Sequence, residues 1–562
     1  MNRKWQFYNT DDNEVKKISE KFQLNELLSE IIANRNVGSN EDIRIFLEPT
    51  RKDFNDPFLF KDMDIAVMRI IKAINNREKV IIYGDYDVDG ITSTTVLKKY
   101  LEERGIVVDT YIPNRLDEGY GLNKDAIDTI YKNNNTLIIT VDCGISAINE
   151  INYANSYGIE TIVTDHHEAG EQLPNAVAVI DAKRKDNTYP FRGLAGVGVV
   201  FKLIQAISIK MNLAEKEFLK YLDLVCVGTI SDIVPLEKEN RVIAKLGLKL
   251  LEVTKNLGLK ELIKTIGYRK IDSNAISFGI APRINACGRM GHEADALKLF
   301  LSDNEEEVKQ ITDNLNEYNK LRQETEKKIY DEAIKKINEE QLDRLNSIVV
   351  AGNNWHHGVI GIVSSKVTEL YFKPSILLGI ENDIAKGSGR SIPEFDLHEA
   401  LCESEDLLEK FGGHEMAVGL SLKKENYVKF REKMEEIAKN KHIEEIVPIL
   451  YIDGKITLKD MNKETVKSLE LLEPFGEGNK MPLFLYKNLK IDSIRALTEG
   501  RHLKLTLKDT NYIINAIGFN MGHLANEYLI GDKVDIVGVL EINSYNGNET
   551  IQINLKDIMK SI

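Results

Sequence analysis

Three carboxylates at alternate positions directly follow a short apolar run near residue 80. The run is Val80–Tyr83, and the segment after it, GDYDVDG at 84–90, carries Asp85, Asp87 and Asp89. In extended backbone alternate side chains share a face, so these carboxylates can converge. Converging carboxylates repel one another unless a cation neutralises them. A calcium loop of the EF-hand type is excluded because Val96 stands where its bidentate glutamate would be. A metal site is favoured over a plain acidic turn.

Three further segments place an acid or a histidine after apolar sequence. Asp142 ends the run TLIITV, and DHHE at 165–168 ends the run TIVT. Asp232 lies in the apolar segment GTISDIVPL, where a buried carboxylate needs a partner. Ligand-binding groups of open α/β sheets gather beyond the carboxyl ends of the strands. The four segments together predict one metal centre.

The donor types indicate which metal and which reaction. Carboxylates with imidazole suit Mn²⁺ or Mg²⁺ better than a structural zinc. Four or more anionic ligands favour two ions that share one carboxylate, an arrangement typical of phosphodiester or phosphoanhydride hydrolysis. The four cysteines form no CxxC pair, so we expect reduced thiols and no disulfide framework; they are Cys143, Cys226, Cys287 and Cys402. We interpret Cys143 as a small buried residue in preference to a nucleophile.

Short apolar runs that alternate with helical segments must position these residues. They predict an α/β fold with a buried parallel sheet and helices on both faces. A charged segment without Pro or Gly, at 302–343, predicts a long connecting helix, and a second α/β unit starts at Ser347. The C-terminal part has short alternating runs that favour an oligonucleotide-binding (OB) barrel, with a plain β-sandwich as the alternative. The predicted boundaries are an N-terminal extension at 1–75, a catalytic domain at 76–300, the connecting helix at 301–345, the second α/β domain at 346–445 and the barrel at 448–562.

Bulk composition allows several domains but does not by itself point to nucleic acid. The 562 residues are 43% hydrophobic and 29% charged, with a net charge of −14. Charge is uneven, however, since Lys480–Lys508 contains seven basic residues and two acidic ones. The N-terminus lacks the apolar run of a signal peptide, and no stretch approaches the roughly 18 apolar residues of a membrane span. We therefore expect a soluble, cytoplasmic protein.

Eight motifs, in one order over more than 400 residues, resemble the DHH phosphoesterase superfamily. Within it the sequence is similar to the bacterial exonucleases specific for single-stranded DNA. The matching segments are GDYDVDG at 84–90, VDCG at 141–144, DHH at 165–167, SDIVPL at 231–236, APRINACGRMG at 281–291, WHHGVIGI at 355–362, GSGRS at 387–391 and FGGHEMAVGL at 411–420. PFGEGNKMPLF at 474–484 also resembles the start of the OB domain of these exonucleases. The resemblance implies a DHH domain and a DHH-associated domain joined by a long helix, with an OB-type barrel after them.

The resemblance also implies roles around the metals. Asp87 and Asp89 match the ligands of the first motif, Asp142 the carboxylate that bridges two ions, and His166 and Asp232 ligands of the second ion. Asp85 stands close to where other branches of the superfamily carry a ligating histidine, and we include it among the metal ligands. Asp165 would orient the neighbouring imidazole. His167 would face the scissile phosphate as a hydrogen-bond donor or leaving-group acid.

A second implied set binds the phosphates and the substrate end. Its members offer arginine forks, hydroxyls and glycine backbone that anions can approach closely. They are Arg283, Asn285, Arg289, Ser388, Arg390, Ser391, Gly412, Gly413 and His414. Trp355 is a candidate for base stacking or for core packing. In the C-terminal domain the candidate stacking residues are Phe484, Tyr486 and Tyr545.

The implied activity is a metal-dependent 5′-to-3′ exonuclease, using two Mn²⁺ or Mg²⁺ ions. It would hydrolyse single-stranded DNA to 5′-mononucleotides in DNA repair and recombination. We expect a monomer, with a helicase and a single-strand-binding protein as candidate partners. One alternative is a DHH-type phosphodiesterase for short oligonucleotides or cyclic dinucleotides, which the extra C-terminal domain argues against. A non-catalytic replication scaffold is the other, and the intact ligand set argues against it.

Overall fold

The computed structural model describes residues 3–545 and 548–561. The chain forms two compact units. The first comprises Asn55–Asp232 and Gly247–Pro448, and the second comprises Arg3–Phe54, Ile233–Leu246 and the chain from Ile449 onward. Within the described residues, every helix is too short or too polar to cross a membrane.

The chain begins in the second unit with one strand and three helices. These are β1 (Lys4–Phe7), α1 (Asp12–Phe22), α2 (Glu26–Asn34) and α3 (Asn40–Leu47). Asp11, Asn25 and Ser39 precede the helices, and each side chain accepts a backbone N–H of the first turn. Such caps satisfy donors that a helix cannot pair internally, so these residues fix where each helix starts.

A five-stranded parallel sheet organises the first half of the first unit. Its elements are α4 (Met63–Asn76), β2 (Val80–Tyr83), α5 (Val88–Glu102), β3 (Val108–Tyr111), α6 (Lys124–Lys132), β4 (Leu137–Val141), α7 (Ile148–Ser156), β5 (Glu160–Thr164) and β6 (Ala178–Ile180). The strand order is β3-β2-β4-β5-β6, and every pairing is parallel. All residues of β2 and β4 are buried. The predicted α/β fold with a buried parallel sheet is confirmed.

A helical region follows the sheet. It contains α8 (Gly196–Lys210), α9 (Lys216–Leu219), α10 (Leu222–Ser231), α11 (Lys238–Leu251), α12 (Leu257–Ile266), a π-helical segment (Ala275–Ile280), α13 (Ala281–Arg289), α14 (Glu293–Leu301) and α15 (Glu305–Glu339). The predicted long helix is α15, with 35 residues; Asn304 caps it, and three glutamates occupy its first turn. Acidic residues near a helix N-terminus interact favourably with the helix dipole. One stripe of α15 is buried, so the helix is more than a solvated connector.

The second α/β domain has a mixed five-stranded sheet. Its elements are β7 (Ile348–Asn353), α16 (His357–Tyr371), β8 (Ser375–Glu381), β9 (Ile384–Arg390), α17 (Leu397–Cys402), β10 (Lys410–His414), β11 (Ala417–Lys423) and α18 (Tyr427–Asn440). The order is β10-β11-β9-β8-β7, with β7 and β8 parallel and the other pairs antiparallel.

The C-terminal part of the second unit is a closed barrel. Its elements are β12 (Ile449–Ile452), β13 (Gly454–Lys455), α19 (Lys463–Leu469), β14 (Phe484–Leu497), β15 (His502–Lys508), β16 (Ile513–Gly518), β17 (Lys533–Tyr545) and β18 (Asn548–Lys560). Strands β14, β15, β16, β18 and β17 pair in that order, and β17 returns to β14. Only one of these pairs, β16 with β18, is parallel. The predicted OB-type barrel is confirmed, in place of the β-sandwich.

The N-terminal helices share the hydrophobic core of that barrel. Ile31 and Phe46 belong to the same buried cluster as Phe484 and Leu505. The predicted extension at 1–75 is therefore divided after Phe54. The part up to Phe54 has its apolar residues in the second unit, and α4 packs against α8 and β6 of the first.

Candidate metal centre

A tight loop after β2 carries the first three acidic residues. Asp87 caps α5 by accepting the N–H of Gly90. A Cβ at Gly90 would lie 2.4 Å from the carbonyl oxygen of Asp85, so only glycine lets the loop fold back this closely. Ligand atoms of Asp85, Asp87 and Asp142 all lie within 4.8 Å of one another. Two neighbouring strands therefore deliver one group of three carboxylates.

A second group of donors lies beside the first. Ligand atoms of Asp89, His166 and Asp232 also lie within 4.8 Å of one another. His166 Nε2 is 3.0 Å from Asp142 Oδ1, 3.7 Å from Asp232 Oδ2 and 3.9 Å from Asp89 Oδ2. The N-terminus of α8 holds Asp89, since the N–H groups of Gly196 and Val197 donate to its two oxygens at 2.6 and 2.8 Å. All six predicted metal ligands are thus brought together.

The electrostatics of these groups call for a cation. Four buried atoms that could ligate a metal have no hydrogen-bond partner within the described residues: Asp85 Oδ1, Asp142 Oδ1, His166 Nε2 and Asp232 Oδ2. Burial, with the neighbouring carboxylates, raises the pKa of Asp89 to about 7 and that of Asp232 to about 9. Burial also lowers the pKa of His166 to about 3, which leaves its imidazole neutral and able to ligate. A bound cation inverts this balance because it favours the ionised carboxylates.

Asp142 is central to the cluster and unusual in its backbone. It belongs both to the group with Asp85 and Asp87 and to a group with His166 and His167. Its φ of 60° lies in the left-handed region, which costs a non-glycine residue of order 1–3 kcal/mol and is found preferentially at functional sites.

The histidine next to this cluster is held by a buried acid. Asp165 Oδ1 lies 2.7 Å from His167 Nδ1 and accepts the backbone N–H of His166 at 2.7 Å. Its other oxygen accepts the N–H of Ile145. Burial alone would lower the pKa of His167, but the hydrogen bond and the charge of Asp165 raise it overall. The imidazole that Asp165 contacts is therefore the ring of His167, and its orienting role stays a prediction.

Four arginines interact electrostatically in the region of the acidic group. Burial, and next to it the charges of Arg115, Arg322 and Arg390, lower the pKa of Arg289 to about 9. Arg289 donates to the carbonyl of Gly358 at 2.9 Å, and Arg115 lies over the ring of Tyr86 at 4.8 Å. Positive charges that repel one another in this way are stabilised by a bound anion, and arginine forks match phosphate oxygens.

Sequence reasoning predicted Arg289 and Arg390 but missed Arg115 and Arg322. Arg115 follows β3 at the same sheet edge as the acidic residues, and this position is a signal that could have found it. Arg322 belongs to charged α15, where Glu326 and Asn319 bind its guanidinium. Nothing in that charged run distinguishes it from its neighbours.

The strand register of the second sheet aligns two other predicted motifs. Ser388 pairs with Gly419, which pairs with Gly412; in the same way Arg390 pairs with Ala417, which pairs with His414. The segments GSGRS and GGH therefore lie at matching positions on β9 and β10, with β11 between them.

Several predicted contacts are made inside the protein instead. Ser391 is buried and donates to the carbonyl of Phe395. Arg283 donates to Asn316 and to the carbonyl of Gly279, both at 2.7 Å, while Asn285 lies half-buried on the same helix. Trp355 is 2% exposed and donates to Glu332, which identifies it as a core residue.

Two of the three aromatic residues predicted to stack bases in the barrel do not face solvent. Phe484 and Tyr486 are 0% and 1% exposed, so that part of the prediction is wrong. Both belong to the barrel core, because inward and outward positions alternate along β14. The side chain of Tyr545 lies outside the described residues.

Comparison with known proteins matches this architecture domain by domain. The family models "DHH family, N-terminal domain", "DHHA1 domain" and "RecJ OB domain" match residues 79–229, 345–440 and 452–557. The single-stranded-DNA-specific exonuclease RecJ of Bacillus subtilis is 40% identical over 560 residues, which cover 99% of this chain and 70% of the relative. The chain belongs to the RecJ family.

Other members of the RecJ family agree in sequence and in fold. The Escherichia coli enzyme is 31% identical over 95% of this chain and 96% of its own length. The crystal structure of RecJ in complex with Mn²⁺ from Thermus thermophilus covers 100% of this chain and 80% of that chain, with a TM-score of 0.85 at 28% identity. A second structure from that organism is a complex with Mg²⁺, with a TM-score of 0.81 at 27% identity.

Proposed function

We propose that this protein is a metal-dependent exonuclease that degrades single-stranded DNA from its 5′ end to 5′-mononucleotides, in DNA repair and recombination. The observation that carries the proposal is the buried cluster of metal-binding side chains with four unpartnered atoms, to which arginines of the same unit are electrostatically coupled. Membership of the RecJ family supports it, since curated relatives are single-stranded-DNA-specific exonucleases.

The donor set fits two Mn²⁺ or Mg²⁺ ions. Asp85, Asp87 and Asp142 would hold one, while Asp89, His166 and Asp232 would hold the other. Asp142 is the best candidate for a shared ligand because it belongs to groups on both sides. Bound ions would supply an activated water and stabilise charge on the phosphate oxygens.

The remaining residues would hold the DNA and move a proton. His167 lies beside the cluster with its side chain 46% exposed, and Nε2 makes no hydrogen bond within the described residues, so it would be available to a scissile phosphate or leaving oxygen. Arg115, Arg289 and Arg390 would grip phosphates at the strand end. The small-residue segment at Gly412–His414 would border that end, because glycine backbone lets a nucleotide approach closely.

The barrel offers a basic outer face for the rest of the strand. Arg495 on β14 pairs with Lys504 on β15, and both side chains are at least partly exposed. Two residues further along these strands, hydrogen bonds link the side chains of Ser493, Thr506 and Asn515 across β14, β15 and β16. OB barrels bind oligonucleotides on this strand face, and a basic surface attracts the phosphate backbone without reading sequence.

Several features remain part of the proposal. These are a cytoplasmic location, a monomeric state, and a helicase and a single-strand-binding protein as partners. A phosphodiesterase limited to short oligonucleotides or cyclic dinucleotides is disfavoured because it needs no such barrel. A non-catalytic scaffold is disfavoured because the six candidate ligands lie together.

End-labelled DNA tests the proposal. Wild-type protein with Mn²⁺ should release mononucleotides from single strands but not from blunt duplexes, and blocking the 5′ end should stop release whereas blocking the 3′ end should not. Asp142→Ala should remove activity while the circular dichroism spectrum is preserved. Retained hydrolysis by that variant, or release from a 5′-blocked strand, contradicts the metal assignment or the polarity respectively.

A further inference from the structure

One tyrosine outside the predicted site contacts it from a glycine-flanked loop. Tyr120 stands between Gly119 and Gly121, whose φ angles are 83° and 85°, in the left-handed region that suits glycine. The loop is tied down at both ends: the N–H of Gly119 donates to Asn114, and Tyr83 Oη donates to the carbonyl of Gly121 at 2.9 Å. The Tyr120 side chain is therefore placed by the backbone, although the residue is 48% exposed.

The hydroxyl of Tyr120 joins two groups of the site. Oη donates to the carbonyl oxygen of Asp142 at 3.1 Å and lies 3.1 Å from His167 Nδ1. The tyrosine ring meets the His167 ring edge-on, with centroids 5.5 Å apart and planes at 66°. Burial of the hydroxyl, and then the charge of Asp165, raise the pKa of Tyr120, so the hydroxyl keeps the proton it donates.

His167 needs such a second contact. Asp165 fixes one hydrogen-bond direction at Nδ1, at 2.7 Å, but one hydrogen bond leaves the ring free to turn about that direction. With 46% of the side chain exposed, packing supplies only part of the missing constraint. Because Tyr120 donates its own proton to Asp142, its oxygen can act as a second acceptor that shares the Nδ1–H with Asp165. This second contact restricts rotation of the ring about the Asp165 hydrogen bond and favours the tautomer with the proton on Nδ1.

We propose that Tyr120 is a positioning residue that fixes the ring of His167 relative to the backbone of Asp142. The proposal rests on the proposed nuclease function and adds to it a residue outside the metal ligands and the arginines. Tyr120 would act through His167, by holding it in the orientation and tautomer that the reaction uses. Its effect should therefore appear in turnover and not in DNA binding or metal binding.

The test compares two substitutions that each delete one hydroxyl from the same region. Tyr120→Phe should lower kcat about ten-fold, the size expected for one hydrogen bond, with KM for single-stranded DNA and Mn²⁺ affinity unchanged. Tyr111→Phe removes the Tyr111–Glu118 hydrogen bond of 2.8 Å, away from the cluster, and should leave kcat at the wild-type value. The proposal is overturned if kcat is unchanged in Tyr120→Phe, or if KM rises or Mn²⁺ affinity falls instead.

Coupling to His167 distinguishes positioning from a general structural effect. In a His167→Ala background, Tyr120→Phe should cause no further loss, because the group it positions is gone. If the double variant instead shows the product of the two single losses in kcat, Tyr120 does not act through His167. Nitrogen NMR of the His167 side chain gives a readout without turnover, and Tyr120→Phe should broaden or shift Nδ1. If wild-type protein lacks nuclease activity, the proposed function fails, and the NMR result still decides whether Tyr120 orders the ring.

Discussion

Gly196→Ala should impair the metal centre without changing any ligand. Gly196 opens α8, and its N–H donates to Asp89. A Cβ there would lie 2.7 Å from both the Cβ and Oδ1 of Asp142. Ordinary contacts between such atoms begin near ~3.4 Å, so the Asp142 side chain must move by about 0.7 Å.

Displacements of this size are costly in a catalytic site. A misplacement of about 1 Å costs on the order of 100-fold in rate, so we expect kcat/KM to fall 10- to 100-fold, or about 1.4–2.7 kcal/mol. Mn²⁺ affinity, measured by calorimetry in the absence of DNA, should fall in parallel, because Asp142 is the proposed shared ligand.

The assay is mononucleotide release from end-labelled single-stranded DNA over a range of Mn²⁺ concentrations. Gly170→Ala is the control, because a Cβ at Gly170 would meet only the Gln172 carbonyl oxygen, at 3.8 Å. Wild-type kcat/KM and Mn²⁺ affinity in Gly196→Ala would show that Asp142 tolerates displacement and would refute the reasoning. Recovery of kcat/KM to the wild-type value in excess Mn²⁺ would place the defect in metal binding alone.

Three further outcomes are expected. Arg115→Ala should raise KM for single-stranded DNA about 10- to 100-fold with Mn²⁺ affinity unchanged, the range for one charge-assisted hydrogen bond, and calorimetry with Mn²⁺ alone checks the second part. Saturation with Mn²⁺ at 100 times Kd should stabilise the wild-type protein by about 2.7 kcal/mol in urea titration, and Asp142→Ala should lose most of that gain. Arg241→Met should lower the free energy of unfolding by about 3–5 kcal/mol in the same titration. The reason is that the buried guanidinium donates to four backbone carbonyls, those of Phe46, Leu472, Glu473 and Pro474. An unchanged urea midpoint would contradict this.

The sheet and its ligands could be predicted because local pattern and function coincide there. The strand Val80–Tyr83 has the bounds of the predicted apolar run, the run TIVT lies within the strand Glu160–Thr164, and the carboxyl ends of parallel strands meet at one edge. Asp232 was found for a different reason, as an acid in apolar sequence. The roles of the individual ligands stay predictions, since proximity alone does not assign them.

The remaining contacts depend on tertiary packing that no local pattern shows. Tyr486 looked available for stacking, but which face of a strand turns inward is settled only when the barrel closes. Ser391 looked like a donor for phosphate, yet the turn that follows uses its hydroxyl. Tyr120 contacts Asp142 and His167, which lie 22 and 47 residues away in sequence, so no local pattern marks it.

The shared core of the second unit has a consequence during synthesis. Helices α1–α3 leave the ribosome more than 400 residues before the strands that complete their core, which start at Phe484. At bacterial elongation rates of about 5–20 residues per second, those helices wait on the order of half a minute or more with apolar faces uncovered. The nascent chain is thus an expected client of chaperones that shield exposed hydrophobic segments. Its N-terminus would become protease-resistant only as the last strands emerge, long after the residues of the metal centre have been made.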